Sequence, residues 1–544
     1  MHQCSLAQTH MIERAYMSKK VRRLYASIPI QVEGQENLTR RDMSAGANSR
    51  LDPQDIGEKQ AVVLNNVDIG TPGKRIVRPG LTEIDVVTDK DNGLAIWGFE
   101  PDGGTYVNQA VLLSGTDTVI FSSESDAGDS FTVITGTANI VDTALSTAFH
   151  AFKSGGDGHV MLYGSASKNW HEIKQDDTVT DLTNDNDDPP RSAVGAFFGG
   201  RMWVLSDNLL YWSTAYPNTY AGAFNRTTDA YNMPVGEEKF LIGIREKGLI
   251  CGGKDEIRYI QPSNTPAATD EYGILVKDGC VAGRSAALVG DDIFFLAKDG
   301  VRGAFKTATD TLQYKTSLPV SHTIKDEVDS ISWNYAHLAS AIEFDNKYFI
   351  SLPVDSSKYN NEVWVYYPAT NGWMVITGWN VADFSVLQIN GENRLFAIDS
   401  TTGEIYRAWY GSDDDGTDIA YEETHRKEDL NRPFEEKRGG ELILRSKATG
   451  EYDIKVYGSF DESDFNLLGI LTTENLTTTF TSWSFPMIFK DAKIHTKKFH
   501  LDRYGPWYQM QVKITSEDSS GGDLALLQHS IITHIDEYDS EETR

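Results

Sequence analysis

Between Leu94 and Trp409 the sequence repeats one plan at intervals of about forty residues, the spacing of propeller blades. Each unit has an apolar strand, a turn of Gly, Asn or Asp, a second apolar strand, and often an outer strand with Tyr or Trp. The units run from Leu94 to Phe121, over 148–175, from Val194 to Ser213, from Phe240 to Ile260, from Ser285 to Arg302, from Leu338 to Trp373 and from Phe384 to Trp409. The last carries a hairpin at Asn390–Gly391. Segments such as Lys347–Leu352 and Asp292–Ala297 mix aromatic and β-branched residues, which suit a pleated, largely buried surface. Helical periodicity is scarce. So many short strands need a way to hide sheet edges, and radial closure leaves only short ones. The expectation is a mainly β chain in which 46–410 form a β-propeller of about seven blades. Two or three stacked β-sandwiches are the competing arrangement.

The flanks differ in composition. Residues 411–438 hold Asp413, Asp414, Asp415, Asp418, Glu422, Glu423, Glu428 and Asp429, with Pro433 near the end, which predicts an acidic linker or long surface loop. From 439 to 544 alternating strands resume at Glu441–Leu444, Tyr452–Tyr457 and Tyr508–Ile514, which predicts a C-terminal β-sandwich. The charged end, Glu537 to Arg544, is expected to fray. Residues 1–45 are expected as a basic N-terminal arm, with Lys19, Lys20, Arg22 and Arg23 at its centre. Met11 and Met17 are alternative starts to Met1.

The net charge is −29, from 50 basic and 79 acidic residues. Residues 1–50 hold eight of the basic and four of the acidic ones, leaving 42 and 75 for the remainder. Such a surface repels nucleic acid rather than gripping it. Hydrophobic residues make up 40% and aromatic residues 11%, enough for large cores, so global disorder is excluded. No apolar run approaches the roughly eighteen residues of a membrane helix, and no secretory signal is read in the first thirty residues. Cys4, Cys251 and Cys280 are far apart and lack metal-ligand spacing, so they read as free or buried thiols of a reducing compartment.

Motifs for chemistry are missing. There is no Gly-x-Ser-x-Gly elbow, His-Glu-x-x-His or phosphate-binding Gly-rich loop. His495 and His500 have poor metal spacing across an expected strand boundary. Ser412, Asp414 and Gly416 match a sialidase-type Asp box, but Asp418 stands where Thr belongs and no Trp follows. The acidic loops around 411–430 and at Asp176, Asp177, Asp181, Asp185, Asp187 and Asp188 resemble Ca²⁺ loops only in composition and read as solvated turns. Trp203, Trp212, Trp364, Trp373, Trp379 and Trp409 read as core or inter-blade packing rather than sugar- or base-stacking platforms. The expectation is therefore no enzyme, with no catalytic, cofactor-binding or metal residues.

Several phrases in order resemble the β-propeller ring proteins of bacteriophage tails, the tail nozzle or packaged-DNA stabilisation family. They are Gly46–Arg50, Leu64–Asp68 and Arg78–Leu81, then Phe198–Trp203 with Leu210–Ser213, then Asp292–Arg302, then Val363–Tyr366 with Gly372–Trp373. Together they span about residues 45–410, and the extension over 1–40 departs from the family. The resemblance implies a structural virion protein of the tail, assembled in the host cytoplasm. Its subunits would form a homo-oligomeric ring, most often a hexamer. The ring would contact the tail adaptor or portal-proximal proteins and the tail fibres. It would continue the DNA conduit, retain packaged DNA without binding it specifically, and open at ejection, with no membrane insertion. Gating loops are expected at 176–190 and 411–430. A receptor- or glycan-binding propeller and a propeller glycosidase are the alternatives.

Overall fold

The computed structural model describes residues 35–535 except 86–92, 100–108, 115–119, 123–131, 134–145, 155–157, 175–177, 246, 268–269, 313–316, 390–391, 474–476, 481–486, 491–492 and 517–523. The basic cluster 19–23, Cys4, Asp176, Asp177, the turn at Asn390–Gly391 and the end from Glu537 lie outside these residues. The described chain is mainly β, with two α-helices, Ala304–Leu312 and Lys325–Ser330. Among the described residues no helix is long and apolar enough to cross a membrane.

The seven units of the sequence coincide with seven successive antiparallel strand sets. Their first strands are Gly93–Phe99, Ser146–Phe152, Gly195–Phe198, Glu238–Ile244, Ala287–Val289, Ser340–Phe344 and Val381–Ile389. Each set then runs on through antiparallel hairpins, as in Gly195–Phe198, Arg201–Ser206, Leu209–Trp212 and Ala230–Asn232. First strands of neighbouring sets touch in sequence order, with the turn Gly283–Ser285 making the contact between the fourth and fifth. The strand of the seventh set also lies against that of the first, so the cycle closes. The seventh set takes its outermost strand from the other end of the chain: Leu81–Asp85 pairs with Ile405–Ala408.

The flanks join into two larger sheets. One contains Gln35–Arg40, Val67–Asp68, Arg75–Val77, Lys437–Ala448, Lys493–His500 and Leu524–Ile535. The other continues the sixth set through Ala61–Asn65, Tyr421–Glu428, Met510–Ser516, Asp453–Phe460 and Asn466–Thr472. A parallel bridge, Asn65 to Val375, makes that connection.

Three expectations about the flanks need correction. Residues 35–40, expected in a basic arm, are a strand on Leu524–Ile535. Residues 61–77, expected within the 46–410 propeller, belong to the flank sheets: Ala61–Asn65 pairs with Tyr421–Glu428 and Arg75–Val77 with Leu524–Ile535. Residues 421–428, expected in a linker or loop, form a strand paired on both edges. The cause is shared: all three segments carry charged side chains whose burial is made tolerable by partners distant in sequence. One hydrophobic core runs from the fifth set into the C-terminal sheets, including Phe294, Trp364, Trp373, Leu442, Trp507 and Leu526.

Trp203, Trp212, Trp364, Trp373 and Trp379 are buried, and Trp409 is partly buried against the same core. Cys251 and Cys280 are buried free thiols, and burial pushes both up to about 12. His495 and His500 lie on one strand, Lys493–His500, not across a boundary. Their odd spacing puts them on opposite faces.

Candidate functional site: an aromatic groove with two arginines

The first hairpin of the third set carries Phe197–Phe198–Gly199–Gly200–Arg201. Phe198 pairs with Arg201, so Gly199 and Gly200 form a two-residue hairpin turn. Both glycines have positive φ, 58° and 77°, as such a turn demands. At Gly200 a Cβ would fall 2.2 Å from the Tyr216 ring, and the backbone N–H of Tyr216 donates to the Gly200 carbonyl at 2.7 Å. The turn thus seats Tyr216 as well as reversing the chain.

Phe198 leans on the next set. A Cβ at Gly243 would meet its ring at 2.6 Å, and the Trp203 indole donates to its carbonyl at 2.9 Å. Phe152, at the end of the preceding first strand, is 5.5 Å from Phe197 between ring centroids, and Phe197 is 6.2 Å from Tyr216 edge to face. These rings, with Arg201, Arg245 and the loop Pro262–Asn264, line a cavity of about 670 Å³. Tyr216 is 51% exposed and Phe152 38%, so the aromatic wall faces solvent.

The Arg201 guanidinium donates to the carbonyls of Ser213 at 2.6 Å and Asn264 at 3.2 Å. Burial lowers its pKa, while Asp229 and Tyr231 oppose that effect. Arg245 is exposed. Among the described residues neither arginine has a carboxylate ion-pair partner, and Arg245 has no hydrogen-bond partner. The arrangement offers flat apolar surfaces beside two positive charges.

No family model matches the sequence, and no curated protein matches it. Among solved structures the chain is similar to PorZ, a surface component of the type-IX secretion system of Porphyromonas gingivalis, at 13% identity and a TM-score of 0.35. That match covers 61% of this chain and 38% of PorZ.

The acidic positions named from the sequence have structural work. Asp414 accepts from both terminal nitrogens of Arg78, at 2.9 and 2.6 Å, and from the Trp379 indole at 2.9 Å. Asp413 accepts the Gly416 backbone N–H at 2.8 Å. Asp188 is buried and accepts from Thr183 and from the Gly222 backbone N–H. Among the described residues no group of three or more His, Cys, Asp or Glu is placed to hold a metal ion.

The structure also gathers Arg75, Tyr421, Glu423 and His425 into one cluster, which composition did not reveal. Glu423 accepts from Arg75 at 2.7 Å and from the Tyr421 hydroxyl at 2.8 Å, with the His425 ring nitrogen at 2.9 Å. In an open cleft this set would suit acid–base work, but every member is buried. The groove was missed because aromatic residues in strands read as core. The signal was the Gly-Gly turn between a Phe pair and an Arg, which makes the Arg a turn neighbour of exposed rings.

Proposed function

We propose that the seven strand sets are blades of one propeller, and that the chain is a structural subunit of a phage-tail ring. The observation that carries the fold reading is the closed cycle of first strands, completed by Leu81–Asp85 as the outer strand of the last set. A cavity of about 430 Å³ supports a common axis: Ala148, Ala287, Ala341 and Ser385, from four different sets, all line it. Linking the first-formed part of the chain to the last is a direct way to close a ring of blades without a free edge. The two flank sheets then form the C-terminal sandwich, built jointly with residues 35–77.

The ring reading draws on the ordered phrases from Gly46 to Trp373. The conduit of the proposed hexamer would lie between subunits, where a charge of −29 per chain would repel phosphates and let DNA slide. Adaptor and fibre proteins would meet the faces outside the blades. The segments 176–190 and 411–430 remain the proposed gates, with the strand Tyr421–Glu428 setting a fixed limit on the second. The test is native mass spectrometry of the purified chain, with single-particle imaging. Rings of six 60.5-kDa subunits are expected. A strict monomer, or a trimeric spike, would overturn the ring.

A further inference from the structure

We infer that the groove beside the Gly199–Gly200 turn binds an acidic saccharide, a pyranose ring that carries a carboxylate. The charge distribution gives the first reason. Acidic residues outnumber basic ones by 79 to 50, yet Arg201 and Arg245 sit at this cavity with no carboxylate ion-pair partner among the described residues. The neighbouring Arg258, by contrast, is paired to Glu256 at 2.5 Å. An unpaired guanidinium on the rim is a ready donor for two parallel hydrogen bonds to a carboxylate.

Shape gives the second reason. Phe152, Phe197 and Tyr216 present ring surfaces to the same space. Such surfaces suit the C–H face of a pyranose, while its hydroxyls reach the rim carbonyls and amides of Ser263 and Asn264. The cavity, about 670 Å³, lies in the range that holds ligands of a few rings. It is also held in place: Gly200 and Gly243 admit Tyr216 and Phe198 so closely that a methyl group at either would collide. A site fixed before binding loses less entropy on binding.

Single-stranded nucleic acid is the competing occupant, since it also combines rings with anions. It requires a positive track along several nucleotides. Here there are two arginines, of which Arg201 already donates to two carbonyls, with Asp229 acting on Arg201 and Asp270 bonded to Tyr231 nearby.

The groove is tested on the full-length chain by calorimetry and tryptophan fluorescence, with Trp203 at the cavity as reporter. The probes are oligomers of galacturonic, glucuronic and N-acetylneuraminic acid, a neutral galactose oligomer, and oligothymidylate. Saturable binding of at least one acidic oligomer, with the neutral one markedly weaker, is expected. Arg245→Ala should weaken it about tenfold, Arg245→Lys should restore part of the loss, and Tyr216→Ala should weaken it independently. Arg245 is exposed and unpartnered, so its replacement leaves the thermal midpoint unchanged. Failure of all three acidic oligomers, equal binding of the neutral one, tighter binding of oligothymidylate, or indifference to Arg245→Ala would each overturn the inference. None of these readouts depends on ring assembly, which mass measures separately.

Discussion

The guanidinium of Arg75 lies 2.7 Å from the carboxylate of Glu423, and both side chains are fully excluded from solvent. Arg75 belongs to one flank sheet and Glu423 to the other. The pair therefore joins the two sheets through their shared interior. Removing one partner strands a buried charge, which costs about 3–5 kcal/mol, whereas replacing both with apolar residues is often nearly neutral. Glu423→Gln should lower the unfolding free energy by that amount, read as a lower urea midpoint at constant slope. The double variant Arg75→Met with Glu423→Met should recover most of the loss. If the double variant is as unstable as the sum of the singles, the pair is not acting as a unit.

Acid should dissolve the same cluster in two stages. Burial alone would raise the Glu423 carboxyl, but Arg75 and His425, with hydrogen bonds from His425 and Tyr421, hold it down to about 2. Its contribution to stability is complete above the ordinary value of 4.5 and is lost as pH falls toward 2. His529, whose ring is 4.3 Å from that of His425, is pushed well below 6.5 by burial and then by His425, Arg75 and Arg40. It is neutral when folded, so the unfolded chain gains a proton first and stability declines as pH drops below 6.5. Denaturant midpoints measured from about pH 7 to about pH 3 should fall in wild type. Glu423→Gln should flatten the lower part of that curve only.

The strand sets were legible because their signals are local. Asp292–Ala297 and Gly300–Gly303 pair across a two-residue turn at Lys298–Asp299, as two apolar runs separated by a short polar break imply. The flanks were not legible for a physical reason. Tyr421–Glu428 buries Glu423, His425 and Glu428, and charge at buried positions reads as surface. Arg75 and Arg40, far away in sequence, supply the charges that make that burial tolerable. The groove was half legible: its Phe-Gly-Gly-Arg turn stands in the sequence, but Tyr216, Arg245 and Asn264 come to it only through folding.

Asp414 anchors the segment after the seventh set through its two-pronged contact with Arg78, whose guanidinium lies 4.6 Å from the centre of the Trp379 ring. Arg78 is fully buried. Asp414→Asn should cost about 2–3 kcal/mol, because it weakens a charge-assisted pair whose arginine has no access to water. Asp413→Asn keeps an acceptor for the Gly416 N–H and should change stability by less than about 0.5 kcal/mol. Equal effects in thermal or urea melts would show that the Arg78 contact carries no special weight.

Trp170 is clamped between neighbouring strand sets. A Cβ at Gly164 would lie 2.4 Å from its ring, and one at Gly195 2.6 Å. Its indole N–H is committed to the Pro190 carbonyl at 2.9 Å, so the ring has little freedom to move aside. Gly164→Ala and Gly195→Ala should each cost about 1–3 kcal/mol through overpacking. Gly57→Ala, where only the flexible Gln60 side chain is near at 3.3 Å, should stay within about 0.5 kcal/mol. Silent substitution at Gly164 and Gly195 would mean that the interface between these sets yields easily.

Glu362 runs opposite to Glu423 in its pH dependence. Burial pushes its carboxyl up to about 7, against the hydrogen bond from Trp364, and Glu327 and Asp355 push the same way as burial. The folded value lies above the ordinary 4.5, so the folded chain holds the extra proton between these limits. Stability from this group therefore declines as pH rises from 4.5 through 7 and is level above that. Glu362→Gln retains an acceptor for the Trp364 indole, which donates to the carboxylate at 2.7 Å, and removes the charge. The variant should be more stable than wild type at about pH 8 and no more stable at about pH 4. Paired urea titrations at the two pH values measure the difference. A variant less stable at both would mean that the carboxylate is held by a favourable partner rather than burdened by burial.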